Sequence, residues 1–404
     1  MSQVKHKALF ISYDGLTDPL GQSQILPYLI GLSALGHKIY VLSAEKKEAY
    51  AKRKATITAI VQKNNITWHS IFYTKRPPIF STVNDLYRLF QRAKQLIIQE
   101  KLTLIHCRSY LSAILGEKLS RKYRLPWIFD MRGFWADERV DGNLWNLKNP
   151  LYSAIYAWFK FKEKQWIQTA TRTVVLTFAA KQEIESWSQS PTAPVQVVPC
   201  CVDTTLFTSA NTEKLVRKPF TLLYLGSVGT WYLVHEMLLF FKQLLQKYPD
   251  AQFHWITPES PTVLLGRITD LGLPTSHFLI KSVERVEVPL EIERADVCIF
   301  FIRPAYSKIG SSATKMGEIL ATGKPIIANA HVGDHDYLFA NYPCGLLLPE
   351  LSQDSYEYAV SQIPNLLNIE PNRLRTVALD YFSLEKGINL YNQLYQSIAL
   401  DKQT

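Results

Sequence analysis

Short apolar runs alternate with amphipathic stretches along the whole chain. The first apolar run, residues 8–12, is followed by a glycine-containing loop, an amphipathic stretch over 23–34 and a second apolar run over 39–42. A strand, a helix and a second strand in this order form a βαβ unit, which implies a parallel sheet. Later apolar runs of the same half are apolar on both faces, as covered parallel strands are, and span 104–106, 127–129 and 173–176. We therefore predict a doubly wound α/β domain.

A second alternation of the same kind begins after residue 220. It predicts a helix over 233–247 and strands over 221–225, 252–256, 297–301 and 325–328. The boundary between the two alternations lies near 197–203. We therefore predict two α/β domains of similar size, covering 1–200 and 201–380, with a cleft between them. Ligands of open α/β sheets bind beyond the carboxyl ends of the strands, so such a cleft is the expected site.

Composition and charge narrow the class of protein. A chain of 404 residues with 47% hydrophobic and 20% charged residues is globular, which excludes disorder, collagen and coiled coils. The five cysteines lack zinc-like spacing, and neither a signal peptide nor a membrane span is predicted. We therefore expect a cytoplasmic protein. Residues 1–200 hold 28 Lys and Arg against 14 Asp and Glu, whereas 201–404 hold 17 against 21, so the first half should face something anionic.

The segment over 303–325 carries the clearest candidate chemistry. Small hydroxylated residues and Gly310 precede a helix predicted to open near Thr314, with Lys308 and Lys315 close by. A positive helix end with exposed N–H groups suits an anion, especially a diphosphate. Glu318, about one turn into the helix, can accept hydrogen bonds from vicinal sugar hydroxyls. An ordinary capped helix with a first-turn carboxylate is the alternative.

This segment and the following turn over 323–325 resemble the donor-binding signature of family-4 retaining glycosyltransferases, which have the two-domain GT-B fold. In that family two glutamates precede an Ala-x-Gly-x-Pro turn; the first contacts the donor sugar and the second the nucleotide ribose. Glu318 matches the second, whereas Gly310 stands at the position of the first. Backbone groups and Ser311 or Ser312 would then contact the donor sugar. The resemblance also implies that the last segment, 381–404, is a helix that returns to the N-terminal domain.

Other segments resemble the family in the expected order. Residues 15–25, with Gly21 and Gln22, resemble the glycine loop after the first strand, where a side chain would block close approach of the backbone to the donor. Gly226 and Ser227 stand where a phosphate-contacting loop begins. The Arg and Lys that normally follow are missing, because residues 228–232 are Val-Gly-Thr-Trp-Tyr. We expect one or two of Arg303, Lys308 and Lys315 to neutralise the diphosphate instead, or else to be ordinary surface cations.

Asp130 and Arg132 follow a predicted strand of the first domain. Similar Asp-x-Arg-Gly segments occur in the family subgroup that builds surface polysaccharides. Asp130 can orient an acceptor hydroxyl and Arg132 can hold a phosphate, although a buried structural pair is equally compatible with the sequence. Aromatic residues mixed with cations over 73–90 and 156–166 suit an anionic membrane surface, or else belong to the core.

The sequence and the resemblance together predict a retaining, metal-independent GT-B glycosyltransferase. Its catalytic residues would be Asp130, Arg132 and Lys315. Its donor would be a nucleoside diphosphate sugar, a uridine one, and its acceptor a glycan or a lipid-linked glycan. We expect no cofactor, no bound metal and no nucleic acid, and peripheral association with the inner face of the cell membrane. An inactive nucleotide-sugar-binding subunit and a GT-B nucleotide-sugar epimerase are the alternatives.

Overall fold

A computed structural model describes residues 5–77, 79–187, 193–208 and 219–400, the side chains of 399 and 400 excepted. The chain divides into two compact units. Unit 1 comprises Met1–Pro199 and Leu384–Thr404, and unit 2 comprises Cys200–Ser383.

Unit 1 is built on a parallel sheet with helices on both faces. Its strands are β1 (Lys7–Ser12), β2 (Lys38–Glu45), β3 (Thr67–Phe72), β4 (Leu104–Arg108), β5 (Trp127–Asp130), β6 (Arg172–Val175) and β7 (Val195–Val197). Its helices before unit 2 are α1 (Pro19–Gln24), α2 (Leu26–Ala34), α3 (Lys47–Lys63), α4 (Phe80–Glu100), α5 (Ser109–Tyr123), α6 (Trp135–Asp141), α7 (Pro150–Thr169) and α8 (Phe178–Glu185). Among the described residues the strand order is β3-β2-β1-β4-β5-β6-β7. The order reverses between β1 and β4, where Ser12 stands opposite Arg108.

Unit 2 repeats this architecture. Its strands are β8 (Thr221–Leu225), β9 (Gln252–Ile256), β10 (Phe278–Lys281), β11 (Val297–Phe300), β12 (Ile326–Asn329) and β13 (Gly345–Leu348), in the order β10-β9-β8-β11-β12-β13. Its helices are α9 (Val234–Lys247), α10 (Pro261–Asp270), α11 (Val288–Glu293), α12 (Thr314–Ala321), α13 (His335–Asn341), α14 (Gln353–Leu367) and α15 (Pro371–Val377). Short 3₁₀ turns span Thr275–His277, Arg285–Glu287 and Tyr306–Gly310, and a π-helical turn spans Ala378–Phe382. Helix α16 (Leu384–Leu400) then packs on α2 of unit 1, where Ile388 contacts Gly31.

The prediction of two doubly wound α/β domains is confirmed. The amphipathic stretch predicted over 23–34 is in fact two helices, α1 and α2, which meet at Ile25. Pro27 explains the break, because it has no N–H to donate and its ring would clash with the carbonyl of Ser23 in a continuous helix. None of the described helices is long and apolar enough to span a membrane.

Candidate active site

The loops after β8 and β11 lie side by side at the point where the strand order of unit 2 reverses. Gly226 follows β8, and Arg303 follows β11. The two loops are joined by hydrogen bonds, among them one from the Arg303 N–H to the Trp231 carbonyl at 2.9 Å. Open parallel sheets bind ligands at such a reversal. The fold therefore brings the predicted phosphate loop and the segment that leads to α12 to one edge of the sheet.

Lys315 is the most unusual side chain at this edge. It is buried, and its Nζ has no hydrogen-bond partner among the described residues. The Nζ lies 4.4 Å from the ring centroid of Tyr224 and 3.7 Å from that of Tyr232. A methyl group at Gly226 would come within 2.6 Å of the same Nζ. The structure thus places the amino group from α12 directly beside the glycine that follows β8.

Burial determines the acid–base properties of this lysine. It lowers the pKa of Lys315 to about 7, although Glu318 and Glu259 act in the opposite direction. A buried ammonium group without a counterion is unfavourable, so an anion that reaches Nζ is favoured by both charge and hydrogen bonding. The surroundings of Lys315 are therefore suited to binding an anionic group.

Backbone conformation explains why a glycine follows β8. Gly226 has a φ of +128°, a region that residues with a Cβ rarely adopt. The Tyr224 hydroxyl donates a hydrogen bond to the carbonyl of Ser227, and this hydrogen bond fixes the loop to β8. Ser227 itself is exposed. This loop offers an open backbone surface next to the Lys315 amino group.

Glu318 lies on the same helix and is also buried. Its Oε1 forms an ion pair with Arg285 Nη2 at 2.9 Å, and the Arg285 guanidinium lies 5.2 Å from the centre of the Phe207 ring. Sequence reasoning did not identify Arg285. It belongs to a short 3₁₀ turn with no recognisable motif, so only the tertiary structure reveals the pair.

The other predicted donor-binding residues of the segment over 303–314 are two cations and four residues with small side chains or none. Arg303 and Lys308 both lie against the ring of Trp231, at 4.8 Å and 3.6 Å from its centroid. Ser312 accepts a hydrogen bond from the Cys200 N–H at 3.1 Å, and thereby anchors the start of unit 2. Gly310, Ser311 and Thr314 complete the segment; Gly310 is buried and the other two are half-buried. Of the three candidate cations, Lys315 is the one placed against Gly226.

The loop after β1 is held in shape by a residue that sequence reasoning missed. Glu45, at the end of β2, is buried and accepts hydrogen bonds from the N–H groups of Leu16 at 2.7 Å and Thr17 at 3.1 Å. A methyl group on Gly21 would come within 2.1 Å of the Gly15 carbonyl oxygen, so no other residue fits there. The sequence signal that could have identified Glu45 is a glutamate directly after six apolar or small residues, 39–44.

Gln22 takes part in the same loop. Its side-chain amide donates to the Thr17 carbonyl at 3.1 Å. The amide nitrogen of Gln22 therefore stabilises the loop after β1 through this hydrogen bond.

Asp130 lies at the end of β5 in a network with α16. The Tyr391 hydroxyl donates to Asp130 Oδ2 at 2.9 Å, and His106 Nε2 lies 3.5 Å from the same oxygen. Arg132 Nη1 lies 4.0 Å from Oδ1. Burial alone would raise the pKa of Asp130, but Arg132 and His106 outweigh it and hold that pKa below its usual value. Asp130 is thus an ionised carboxylate that links α16 to the sheet.

Arg132 owes its position to an unusual backbone. It has a φ of +58° and is followed by Gly133 with a φ of +103°, so the chain turns sharply after β5. This turn directs the Arg132 side chain back toward Asp130. The catalytic roles of the two residues stay predictions.

Comparisons with known proteins agree with this architecture. The model of "Glycosyltransferase Family 4" matches residues 28–206, and that of "Glycosyl transferases group 1" matches residues 208–376. The two matches are consecutive and together cover most of both units. The chain belongs to the family-4 glycosyltransferases and has the GT-B fold.

Several solved structures share the fold at low sequence identity. A glycosyltransferase from Rickettsia africae is 15% identical, with a TM-score of 0.69 over 98% of this chain and 99% of that one. Anabaena HepE in complex with UDP-glucose is 14% identical, with a TM-score of 0.69 over 96% and 99%. The apo form of WaaB, a lipopolysaccharide outer core galactosyltransferase, is 12% identical, with a TM-score of 0.64 over 98% and 99%. A search among curated proteins finds no significant sequence relative.

Proposed function

We propose that this protein is a retaining glycosyltransferase that works without a metal ion. It transfers a sugar from a uridine diphosphate sugar to a hydroxyl group of a glycan or lipid-linked glycan. The observation that carries the proposal is the buried amino group of Lys315, which has no hydrogen-bond partner in the described part of the chain and lies against Gly226. The uridine assignment is supported by the fold shared with HepE, which was solved with UDP-glucose.

In this proposal, unit 2 binds the donor. Lys315 and the backbone at Gly226 and Ser227 contact the diphosphate, with Arg303 and Lys308 as further cations. Glu318 accepts hydrogen bonds from the ribose hydroxyls and exchanges its contact with Arg285 for them. Gly310 leaves room beside the donor sugar, where Ser311, Ser312 and Thr314 provide hydroxyl and backbone groups. Gly21 and Gln22 contribute the loop of unit 1.

The reaction exchanges one bond at the anomeric carbon for another. The bond to the diphosphate oxygen breaks, and the acceptor oxygen bonds to the same face of the carbon, so the configuration is retained. The acceptor proton passes to the departing phosphate oxygen. Negative charge accumulates on the diphosphate during this step, so a protonated Lys315 stabilises the transition state more than the ground state.

Unit 1 binds the acceptor. Asp130 and Arg132 are the proposed catalytic residues of this unit, the first orienting the acceptor hydroxyl and the second holding an anionic group. The basic first half and its exposed aromatic residues support peripheral binding to an anionic membrane from the cytoplasmic side. Surface-polysaccharide biosynthesis is the corresponding role.

A thermal-shift experiment tests the donor site. UDP-, GDP-, ADP- and dTDP-glucose are added with and without a divalent metal to the native protein, to Glu318→Ala and to Glu350→Ala, an exposed control in unit 2. A ligand at a hundredfold excess over its Kd stabilises the folded state by ~2.7 kcal/mol. We expect a metal-independent shift with UDP-glucose that Glu318→Ala loses and Glu350→Ala keeps.

Product analysis then separates the alternatives. Binding without transfer to any acceptor would indicate the inactive subunit, which the glycine at position 310 favours. Conversion of the donor into an epimer without acceptor would indicate the epimerase. A native protein that no nucleotide sugar stabilises would refute the proposal.

A further inference from the structure

Unit 1 contains a large apolar cleft between α4, α5 and α7. Its volume is about 1130 Å³, which exceeds the ~300–1,000 Å³ of ordinary small-molecule sites. Aliphatic and aromatic side chains together form most of the wall, and three of the aromatic residues are tryptophans: Trp135, Trp145 and Trp158. A cleft of this size and chemistry fits a long apolar chain better than a sugar, which needs many hydrogen-bonding groups.

The mouth of the cleft is bordered by exposed apolar side chains. On α4, Val83 is 60% exposed and Tyr87 is 61% exposed, and both line the cleft. Leu144 is 59% exposed and Trp158 of α7 is 42% exposed, and both also line the cleft. Apolar groups grouped in this way on a surface mark a place where another apolar body binds.

Charges at the cleft favour an anionic occupant. Its two carboxylates already have cationic partners: Asp18 pairs with Lys46 at 3.0 Å, and Asp14 pairs with Arg108. Lys118 is exposed and forms no ion pair within the described residues. Arg139 also lines the cleft, and its guanidinium lies 4.8 Å from the ring centroid of Trp135. The cleft therefore combines an apolar wall with two cations that its own carboxylates do not neutralise.

The position of the cleft connects it to the expected acceptor site. Tyr13, Asp14 and Asp18 follow β1, at the reversal of strand order in unit 1, and they line the cleft. A lipid held in the cleft would therefore lie next to the edge of the sheet at which open α/β folds bind ligands.

We propose that this cleft binds the lipid carrier of the acceptor, a single-chain lipid with a phosphate or diphosphate head. The chain lies against the tryptophans and the apolar face of α4, and the head lies near Lys118 and Arg139. This inference rests on the proposed glycosyl transfer and narrows its acceptor class to lipid-linked glycans.

Fluorescence titration with prenyl phosphates tests the inference, because the three tryptophans report occupation of the cleft. Geranyl phosphate, geranylgeranyl phosphate and geranylgeraniol are compared on the full chain. Each buried methylene strengthens binding about fourfold, so geranylgeranyl phosphate should bind at least ~100-fold more tightly than geranyl phosphate. Geranylgeraniol, which lacks the phosphate, should bind about tenfold more weakly than geranylgeranyl phosphate.

Two matched pairs of variants locate the binding. Val83→Asp should weaken geranylgeranyl phosphate binding at least about tenfold, because it places a carboxylate at the mouth of the cleft. Ile98→Asp, at an exposed position of α4 that does not line the cleft, should change it less than about twofold. Lys118→Gln should weaken binding severalfold, whereas Lys122→Gln, farther along α5, should not. Thermal melting confirms that each variant is folded.

Several outcomes would overturn the proposed binding of a prenyl phosphate in the cleft. Affinity that does not depend on chain length, or that Ile98→Asp reduces as much as Val83→Asp, would overturn the inference. Displacement of geranylgeranyl phosphate by phosphatidylglycerol vesicles alone would do the same, since it would indicate a general membrane surface. UDP-glucose binding is measured on the same samples. If it persists while no prenyl phosphate binds, the cleft assignment falls and the proposed glycosyl transfer stands.

Discussion

Replacing Lys315 by methionine should make the protein more stable and weaken its affinity for the donor at least about thirtyfold. Methionine keeps a similar length and an apolar stem, so the space between Tyr224 and Tyr232 stays filled. The change removes only the buried amino group. Opposite effects on stability and on binding are expected from a residue that is retained for function and not for the fold.

The expected gain in stability follows from the pKa. Burial lowers the pKa of Lys315 from 10.5 to about 7, and each unit corresponds to ~1.36 kcal/mol, which sets an upper limit of ~5 kcal/mol. Allowing for relaxation around the charge, we expect ~2–4 kcal/mol, or a rise in Tm of ~4–16 °C. The folded-state pKa lies below the unfolded one, so the penalty is complete below pH 7 and is relieved as pH rises from about 7 to 10.5. The advantage of the variant should shrink over that interval.

The expected loss of affinity follows from the missing charge. Removing one partner of a buried, hydrogen-bonded charge pair costs ~2–5 kcal/mol, which is at least about thirtyfold in Kd. The protonation of Lys315 should also make donor binding depend on pH. Because the amine must carry a proton to bind the diphosphate, the affinity of the native protein for UDP should fall about tenfold per pH unit above about 7. Lys315→Met should show no such pH dependence.

Calorimetric titration with UDP and thermal melting across pH are the assays. Lys247→Met, which removes an exposed lysine of α9, is the control and should leave both quantities unchanged. The reasoning would be refuted if Lys315→Met bound UDP with a Kd within about threefold of the native value. It would also be refuted by a lower Tm, since the amino group would then stabilise the empty protein.

Four further outcomes are expected. Gly226→Ala should weaken UDP binding about tenfold and destabilise unit 2 by ~1–3 kcal/mol, because alanine is strained at a φ of +128°; titration and melting measure both. Tyr391→Phe should lower the free energy of unfolding by ~1–3 kcal/mol in a urea titration, because it leaves the buried Asp130 carboxylate short of a hydrogen bond. The low pKa of Asp130 means that its contribution is present above its unfolded pKa and lost on acidification below about 4, so Asp130→Asn should flatten the acid limb of stability. Glu45→Gln should destabilise the loop after β1 and speed its amide exchange, and unchanged exchange would contradict the role of Glu45.

Much of the fold was predictable because covered parallel strands have a strong local signal. The strands predicted over 221–225 and 252–256 coincide with β8 and β9, and the helix predicted near Thr314 is α12. The missed strands β3 and β13 both lie at sheet edges and are partly exposed; polar residues interrupt the apolar pattern of β3, whereas β13 is a four-residue strand that begins with Gly345. A continuous apolar run indicates a strand that is buried on both faces, and edge strands are not buried in this way.

The site was harder to predict, because its decisive contacts join segments that are distant in sequence. The motif around Glu318 indicates a donor site, but nothing near it indicates that Arg285 occupies its carboxylate. The sequence also offered three cations for the diphosphate, of which Lys315 alone was predicted to be catalytic. The tertiary structure distinguishes them by placing Arg303 and Lys308 on Trp231 and Lys315 beside Gly226.

The role proposed for Lys315 would account for a glycosyltransferase loop that lacks the usual cations after its glycine. The charge needed at the diphosphate can be supplied from any element that reaches the same point in space, and α12 begins there because β11 neighbours β8. The route from α12 passes between Tyr224 and Tyr232, whose rings replace water around the amino group. A lysine buried in this way is costly in the empty protein, and it becomes favourable only when an anion arrives. In the proposed donor site, the same burial that weakens the charge in the absence of donor would therefore favour an anionic ligand such as the diphosphate.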